Sequence, residues 1–183
     1  MTEVALLSTR LDPSIGLDGS LSPASVDAAE LKTAMRAVAG GVSVITAGRP
    51  GNRTGATVTS ATAFSMEPPT MIVAINLSSS TWPVIAAERH FCVNILRDDQ
   101  HRIADRFSGF GGVKGEMRYE GAAWTTLASG APALGDAVTV IDCVVDESIE
   151  RYTHGLVLGR VVAIKRGDGL PLVYSNGRYG GFA

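Results

Sequence analysis

The 183-residue chain is poor in the residues from which most recognisable active sites are built. Its two cysteines, Cys92 and Cys143, lie far apart, each inside an apolar, β-branched run. A disulfide framework is therefore excluded, and both read as buried free thiols suited to a reducing compartment. The three histidines, His90, His101 and His154, lie far from one another, neither cysteine has a second one nearby, and no metal is implied. No Gly-x-Ser-x-Gly pentapeptide occurs, which excludes a nucleophile elbow, and no Gly-Lys-Ser/Thr, which excludes a Walker loop. A formal net charge of −2 supplies no basic stripe for a nucleic-acid backbone. No apolar run approaches the roughly 20 residues of a membrane span. Met1 to Gly19 lacks the basic and apolar regions of a leader, so the expectation is a cytoplasmic protein with no membrane or nucleic-acid partner.

What the chain does contain is alternation. Residues 1–25 mix Ser, Asp, Gly and Pro with scattered Leu and read as a flexible N-terminal extension; residues 26–183 read as one domain. Asp27 with Glu30 forms a capping box ahead of Leu31, Ala34, Met35 and Val38, a helix that Gly40 and Gly41 should end. Val42 to Thr46 is a short strand, and the Gly48 to Asn52 turn sends it back into a long run from Arg53 to Phe64. Pro68-Pro69 breaks that run before the strand Met71 to Ile75. A short helix starts at Trp82-Pro83, then comes the strand Phe91 to Leu96. Asp98 is placed to cap a helix whose Ile103, Ala104 and Phe107 share a face. Further strands follow at Val138 to Ile149, Leu156 to Lys165 and Leu172 to Tyr174. Six or seven strands with three short helices predict a mainly β fold, an antiparallel, Greek-key-like barrel closed or nearly so.

The stretch Gly55 to Ser80 holds the most chemistry. Small hydroxyl residues cluster at both of its ends, where backbone N–H and side-chain O–H groups could cradle a phosphate. For Thr57, Thr59 and Ser60 the competing reading is simple alternation on a half-exposed strand. Ser78, Ser79, Ser80 and Thr81 could equally cap the helix that follows, a role compatible with anion binding. The Gly109 to Gly115 loop fails the dinucleotide fingerprint, because Lys114 stands at the third glycine position. His154, in Tyr152-Thr153-His154-Gly155, is either a ligand-facing histidine or a solvated turn residue.

Read together, these residues resemble the flavin reductase family with the FMN-binding split-barrel fold, the small reductase component of two-component flavin-dependent monooxygenases. The resemblance runs from about Leu31 onward. It rests on Gly40-Gly41-Val42, Gly55-x-Thr57-x-Thr59-Ser60, Ser65, Pro68-Pro69, Asn76, Ser79-Ser80-Thr81, Phe91-x-Val93-Asn94-x-Leu96, Gln100, Phe107, Gly130-x-Pro132-x-Leu134, Cys143, His154 and Pro171-Leu172-Val173-Tyr174, in the family's order.

The resemblance implies a homodimer that binds FMN or FAD, takes a hydride from NADH or NADPH, and supplies reduced flavin to a partner monooxygenase. It implies flavin contacts from Thr57, Val58, Thr59, Ser60 and Ala61, from Asn76, Ser78, Ser79, Ser80 and Thr81, and from Phe107 and Lys114. His154 would lie on the nicotinamide side as the catalytic residue. If reduced flavin leaves to serve the partner, a phosphate held by neutral donors without an arginine clamp would suit exchangeable binding. Three positions depart from the family pattern: Thr153 replaces a common Asp, Ala61 replaces a common aromatic, and the stretch after Lys114 is shifted. Two other readings stand beside this one, a pyridoxamine-phosphate-oxidase-like oxidase, for which more basic residues are expected, and a flavin-binding protein without turnover.

Overall fold

The computed structural model describes residues 24–181; the proposed extension therefore lies almost entirely outside the described residues. The chain divides after Ala37 into two units. In the first, helix α1 (Ala28–Met35) starts where expected, with Asp27 Oδ1 accepting the Ala29 N–H at 2.8 Å. It ends at Met35, short of Gly40-Gly41, as Arg36 turns its N–H back to Thr33 and Ala34.

The second unit contains strands β1 (Gly40–Gly41), β2 (Ser43–Ala47), β3 (Thr54–Val58), β4 (Thr62–Met66) and β5 (Pro69–Asn76). Helix α2 (Thr81–Glu88), strand β6 (His90–Ile95) and helix α3 (His101–Ser108) follow. Two short 3-10 segments, Phe110–Gly112 and Gly115–Tyr119, lead to β7 (Trp124–Thr126) and β8 (Pro132–Leu134). The long hairpin β9 (Thr139–Arg151) and β10 (His154–Arg166) precedes β11 (Val173–Ser175) and β12 (Arg178–Gly180).

Seven strands form one antiparallel sheet in the order β3-β2-β6-β9-β10-β5-β4. Its two edge strands, β3 and β4, are consecutive in the chain and joined only by Thr59, Ser60 and Ala61. So short a connection brings the two edges together and leaves the barrel split between them. The expected single strand from Arg53 to Phe64 is thus two strands. Its alternation continues through the break, because small hydroxyl residues suit a strand and a connection equally well.

The central strands are covered on both faces. Ile45, Phe91, Val93, Val73, Ile75, Val157 and Ile85 fill one core cluster, while Val44, Cys92, Leu96, Phe107, Leu134 and Leu172 fill the other. This is why β2 and β6 read as nearly continuous apolar runs. Asn94, wholly buried in β6, ties three elements: its Nδ2 donates to Val44 O (2.9 Å) and Thr46 Oγ1 (3.0 Å), and its Oδ1 accepts the Leu134 N–H (2.7 Å). Asp142 is also fully buried, accepting the Ser129 N–H at 2.7 Å and the Cys92 thiol at 3.2 Å. Asp98 does not cap α3; the N-cap is Gln100, whose Oε1 accepts the Arg97 N–H and shapes the turn instead.

Candidate functional site

Beside the β3–β4 connection, a cleft of about 980 Å³ opens between β3 and the end of β5. One wall is β3 and its continuation: Thr57, Val58, Thr59 and Ser60. The facing wall is the end of β5 with Asn76 and the loop Ser78, Ser79 and Ser80, and His154 stands beside it at the start of β10. Phe107 from α3 and Lys114 from the glycine-rich segment complete the set. Eleven of the thirteen residues singled out from sequence therefore line one cleft, although they span nearly a hundred positions of the chain.

Two do not. Thr81 is the first residue of α2 and is completely buried, so its hydroxyl lies beneath the loop rather than in the cleft. Ala61 packs against the barrel core, where the chain enters β4.

The hydroxyl groups are largely committed to shaping the walls. Thr57 Oγ1 donates to Ala104 O (2.6 Å) and fastens β3 to α3; Ser60 Oγ donates to Ala74 O (3.1 Å) across the split. Asn76 Oδ1 accepts both the N–H and the hydroxyl of Ser78, at 2.9 and 2.8 Å, which closes a tight polar turn. Ser79 Oγ accepts the Thr81 N–H at 3.2 Å, holding the loop against the first turn of α2. Ser80 Oγ is 3.2 Å from Thr54 Oγ1, so the serine loop touches the base of β3. These bonds brace the loop from within, and the positive end of α2 lies directly beneath it.

His154 is locked to the same loop. It pairs with Asn76 across β10 and β5, the Leu77 N–H donates to Thr153 O at 2.9 Å, and the Thr153 hydroxyl lies 2.9 Å from His154 Nδ1. His154 thus begins a strand rather than sitting in the preceding turn, and the Thr153 hydroxyl orients its ring. Gly155 follows because Trp82 of α2 lies against the backbone there; a Cβ would stand 2.2 Å from the indole ring.

Sequence reasoning named Lys114 and offered Arg53 as a candidate for a nicotinamide 2′-phosphate, but it missed Glu116 and Arg118 at the charged end of the cleft. Arg53, Glu116 and Arg118 line it together with Gly51 and Asn52. Arg53 Nε lies 2.7 Å from Glu116 Oε2, and its guanidinium carbon sits 4.1 Å over the Tyr119 ring. Arg118 spends its guanidinium on Val113 O (3.0 Å) and Gly55 O (2.5 Å). Lys114 makes no ion pair among the described residues and is the uncommitted cation of the site. The one available signal was the acidic and basic alternation of Glu116 and Arg118 in an otherwise glycine-rich stretch.

Beneath this end, Phe107, Tyr119 and Trp124 pack with centroids 4.8 to 5.6 Å apart, Tyr119 edge to face with both of the others. Burial pushes the Tyr119 phenol well above its usual range, and its O–H donates to Thr54 O at 2.6 Å. An edge strand, a pre-shaped hydroxyl loop over a helix N-terminus, a lysine and an exposed histidine can together hold a flat heteroaromatic ring bearing a phosphate. No strong acid–base pair is present among these groups, which suits chemistry carried by the ligands themselves.

Known proteins are similar to this chain along most of its length. The flavin reductase like domain matches residues 35–183. FMN reductase (NADH) RutF 2 of Rhizobium rhizogenes is 34% identical over 169 residues, 91% of this chain and 96% of that protein. Among solved structures, the styrene monooxygenase flavin reductase SMOB of Pseudomonas putida S12 superposes with a TM-score of 0.73 at 28% identity, covering 84% of this chain and 97% of that one. The NADH:FAD oxidoreductase SgcE6 of Streptomyces globisporus C-1027 gives a TM-score of 0.77 at 25% identity, over 88% and 99% of the two chains.

Proposed function

The chain belongs to the flavin reductase like domain family, and from that premise we propose that it is an NADH-dependent flavin reductase whose ligands meet in the split of the barrel. The observation that carries this reading is the convergence of β3, the serine loop and His154 on one cleft of about 980 Å³. That is the upper end of the range for small-molecule sites, and it leaves room for two stacked rings.

The residues fit a flavin mononucleotide portion, common to FMN and FAD. Ser79 and Ser80, over the first turn of α2, offer donors to the phosphate. Lys114 supplies the compensating charge. The open edge of β3 from Ala56 to Val58 offers backbone groups to the ring edge, because an edge strand leaves one row unpaired. When bound, the flavin accepts at N5 the hydride that leaves nicotinamide C4. His154 then orients the donor's carboxamide, and Phe107 and the barrel wall exclude water.

Two further elements belong to the proposal. The first is a homodimer: Ile149 of β9 and Leu156 of β10 are exposed register neighbours, and β4 exposes Phe64 and Met66, an apolar surface suited to a second copy. The second is delivery of reduced flavin to a flavin-dependent monooxygenase, supported by the kind of protein that SMOB is named as. A cytoplasmic setting fits the two buried free thiols.

The test is a spectrum of the purified protein with added FMN or FAD, followed by NADH in air. Nicotinamide oxidation that depends on added flavin is expected. Flavin binding without any oxidation would favour a carrier or sensor and end the reductase reading.

A further inference from the structure

Glu116 fills an anion site of the cleft with its own carboxylate. Oε1 accepts the backbone N–H groups of Gly51 (3.1 Å) and Arg53 (3.2 Å), and Oε2 accepts Arg53 Nε at 2.7 Å. Two backbone amides and a guanidinium converging on one group form a donor set that suits a phosphoryl oxygen as well as a carboxylate. The guanidinium is held in place from below by the Tyr119 ring, itself fixed through its hydroxyl to Thr54 O. Burial opposes the charge on Glu116, but the hydrogen bonds from Arg53 and Gly51 outweigh it and hold the carboxyl below its usual range. It is therefore an anion throughout the neutral range.

This site borders the place proposed for the flavin phosphate. Arg53 directly precedes Thr54, whose hydroxyl lies 3.2 Å from Ser80 Oγ. A ligand whose single phosphate ends at the serine loop leaves the Glu116 contacts intact. A pyrophosphate continues past Thr54 toward Arg53, where its second phosphoryl group meets a like charge and finds its donors already taken.

The geometry points to Glu116 as a built-in anion that reserves the Arg53 site, so that the cleft favours a mononucleotide flavin and resists the second phosphoryl group of a dinucleotide. The inference rests on the flavin reading and narrows it from FMN or FAD to FMN. The dinucleotide that meets Glu116 is FAD, and the KM for NADH serves as the control that separates it from the nicotinamide donor.

The experiment is flavin-fluorescence titration with FMN and with FAD, plus the KM for NADH at saturating FMN, on the wild-type chain and on Glu116→Gln. The variant keeps the side chain's shape and removes its charge. Wild-type protein should bind FMN more tightly than FAD. In Glu116→Gln the ratio of FAD to FMN affinity should rise about tenfold, the equivalent of one charge-assisted hydrogen bond released to the ligand. Wild-type protein that binds FAD as tightly as FMN overturns the inference whatever the variant does. So does a variant in which the FAD to FMN ratio moves by less than about twofold, including one in which only the KM for NADH changes. Titrations in which neither flavin binds would remove the flavin reading itself, and this role with it.

Discussion

Replacing Gly155 with alanine joins stability to function in one perturbation. A Cβ at this position would lie 2.2, 2.4 and 2.8 Å from three ring carbons of Trp82. Ordinary carbon contacts begin near 3.5 Å, so the indole or β10 must move by roughly 1.3 Å. Overpacking of this kind costs about 1–3 kcal/mol, and with three atoms affected about 2–3 kcal/mol is expected. For a chain of this size that lowers Tm by roughly 5–10 °C. The same displacement moves His154, one residue earlier, and the serine loop, one residue before α2. Thermal melting by circular dichroism reads the first effect, and the KM values for NADH and flavin read the second, with both expected to rise. Trimming the indole in Gly155→Ala with Trp82→Leu should recover about 1–2 kcal/mol relative to the sum of the single variants. A Gly155→Ala protein that melts within about 1 °C of wild type, with additive double-variant energetics, would refute the packing described here.

Other changes follow from the same contacts. Asn94→Leu leaves the buried Leu134 N–H without its acceptor and removes donors from Val44 O and Thr46 Oγ1, so it should cost about 2–4 kcal/mol in urea unfolding; stability equal to wild type would count against the clamp. His154→Ala should raise the KM for NADH more than the Kd for flavin, and an unchanged KM would leave His154 a solvated strand-end residue. Burial pushes the Cys143 thiol up to about 12 and Cys92 higher still, so neither should react with a thiol reagent near pH 8 until denaturant is added. Because the Glu116 carboxyl titrates lower in the folded chain than its ordinary value of 4.5, its stabilisation is complete above that pH and fades as pH falls through the folded value. Glu116→Gln should therefore flatten part of the acid limb of a stability profile.

The fold was legible where one face of a strand is buried. Met71, Val73 and Ile75 alternate with less buried residues along β5, and that period is visible in the letters alone. The break at Thr59 to Ala61 was not legible, since it is set by where the sheet runs out of partners rather than by local propensity. The cleft's hydroxyl walls could be found from composition and motif order. Its charged end could not, because Glu116 meets Arg53 across 63 positions and nothing near either residue announces the other. Asp142 shows the same limit: an Asp inside a β run reads as a solvent-facing position, whereas here it is buried by partners, Ser129 and Cys92, that only the fold supplies.

The central claim, that the split of this barrel passes a hydride from a reduced nicotinamide to a flavin, is tested most directly by mixing the protein anaerobically with excess free FMN and NADH. The account predicts that a catalytic amount of protein bleaches the flavin absorbance over many turnovers, with one NADH consumed per flavin reduced, and that His154→Ala slows the reaction at low NADH. Flavin that binds in the cleft yet stays oxidised in the presence of NADH would contradict it.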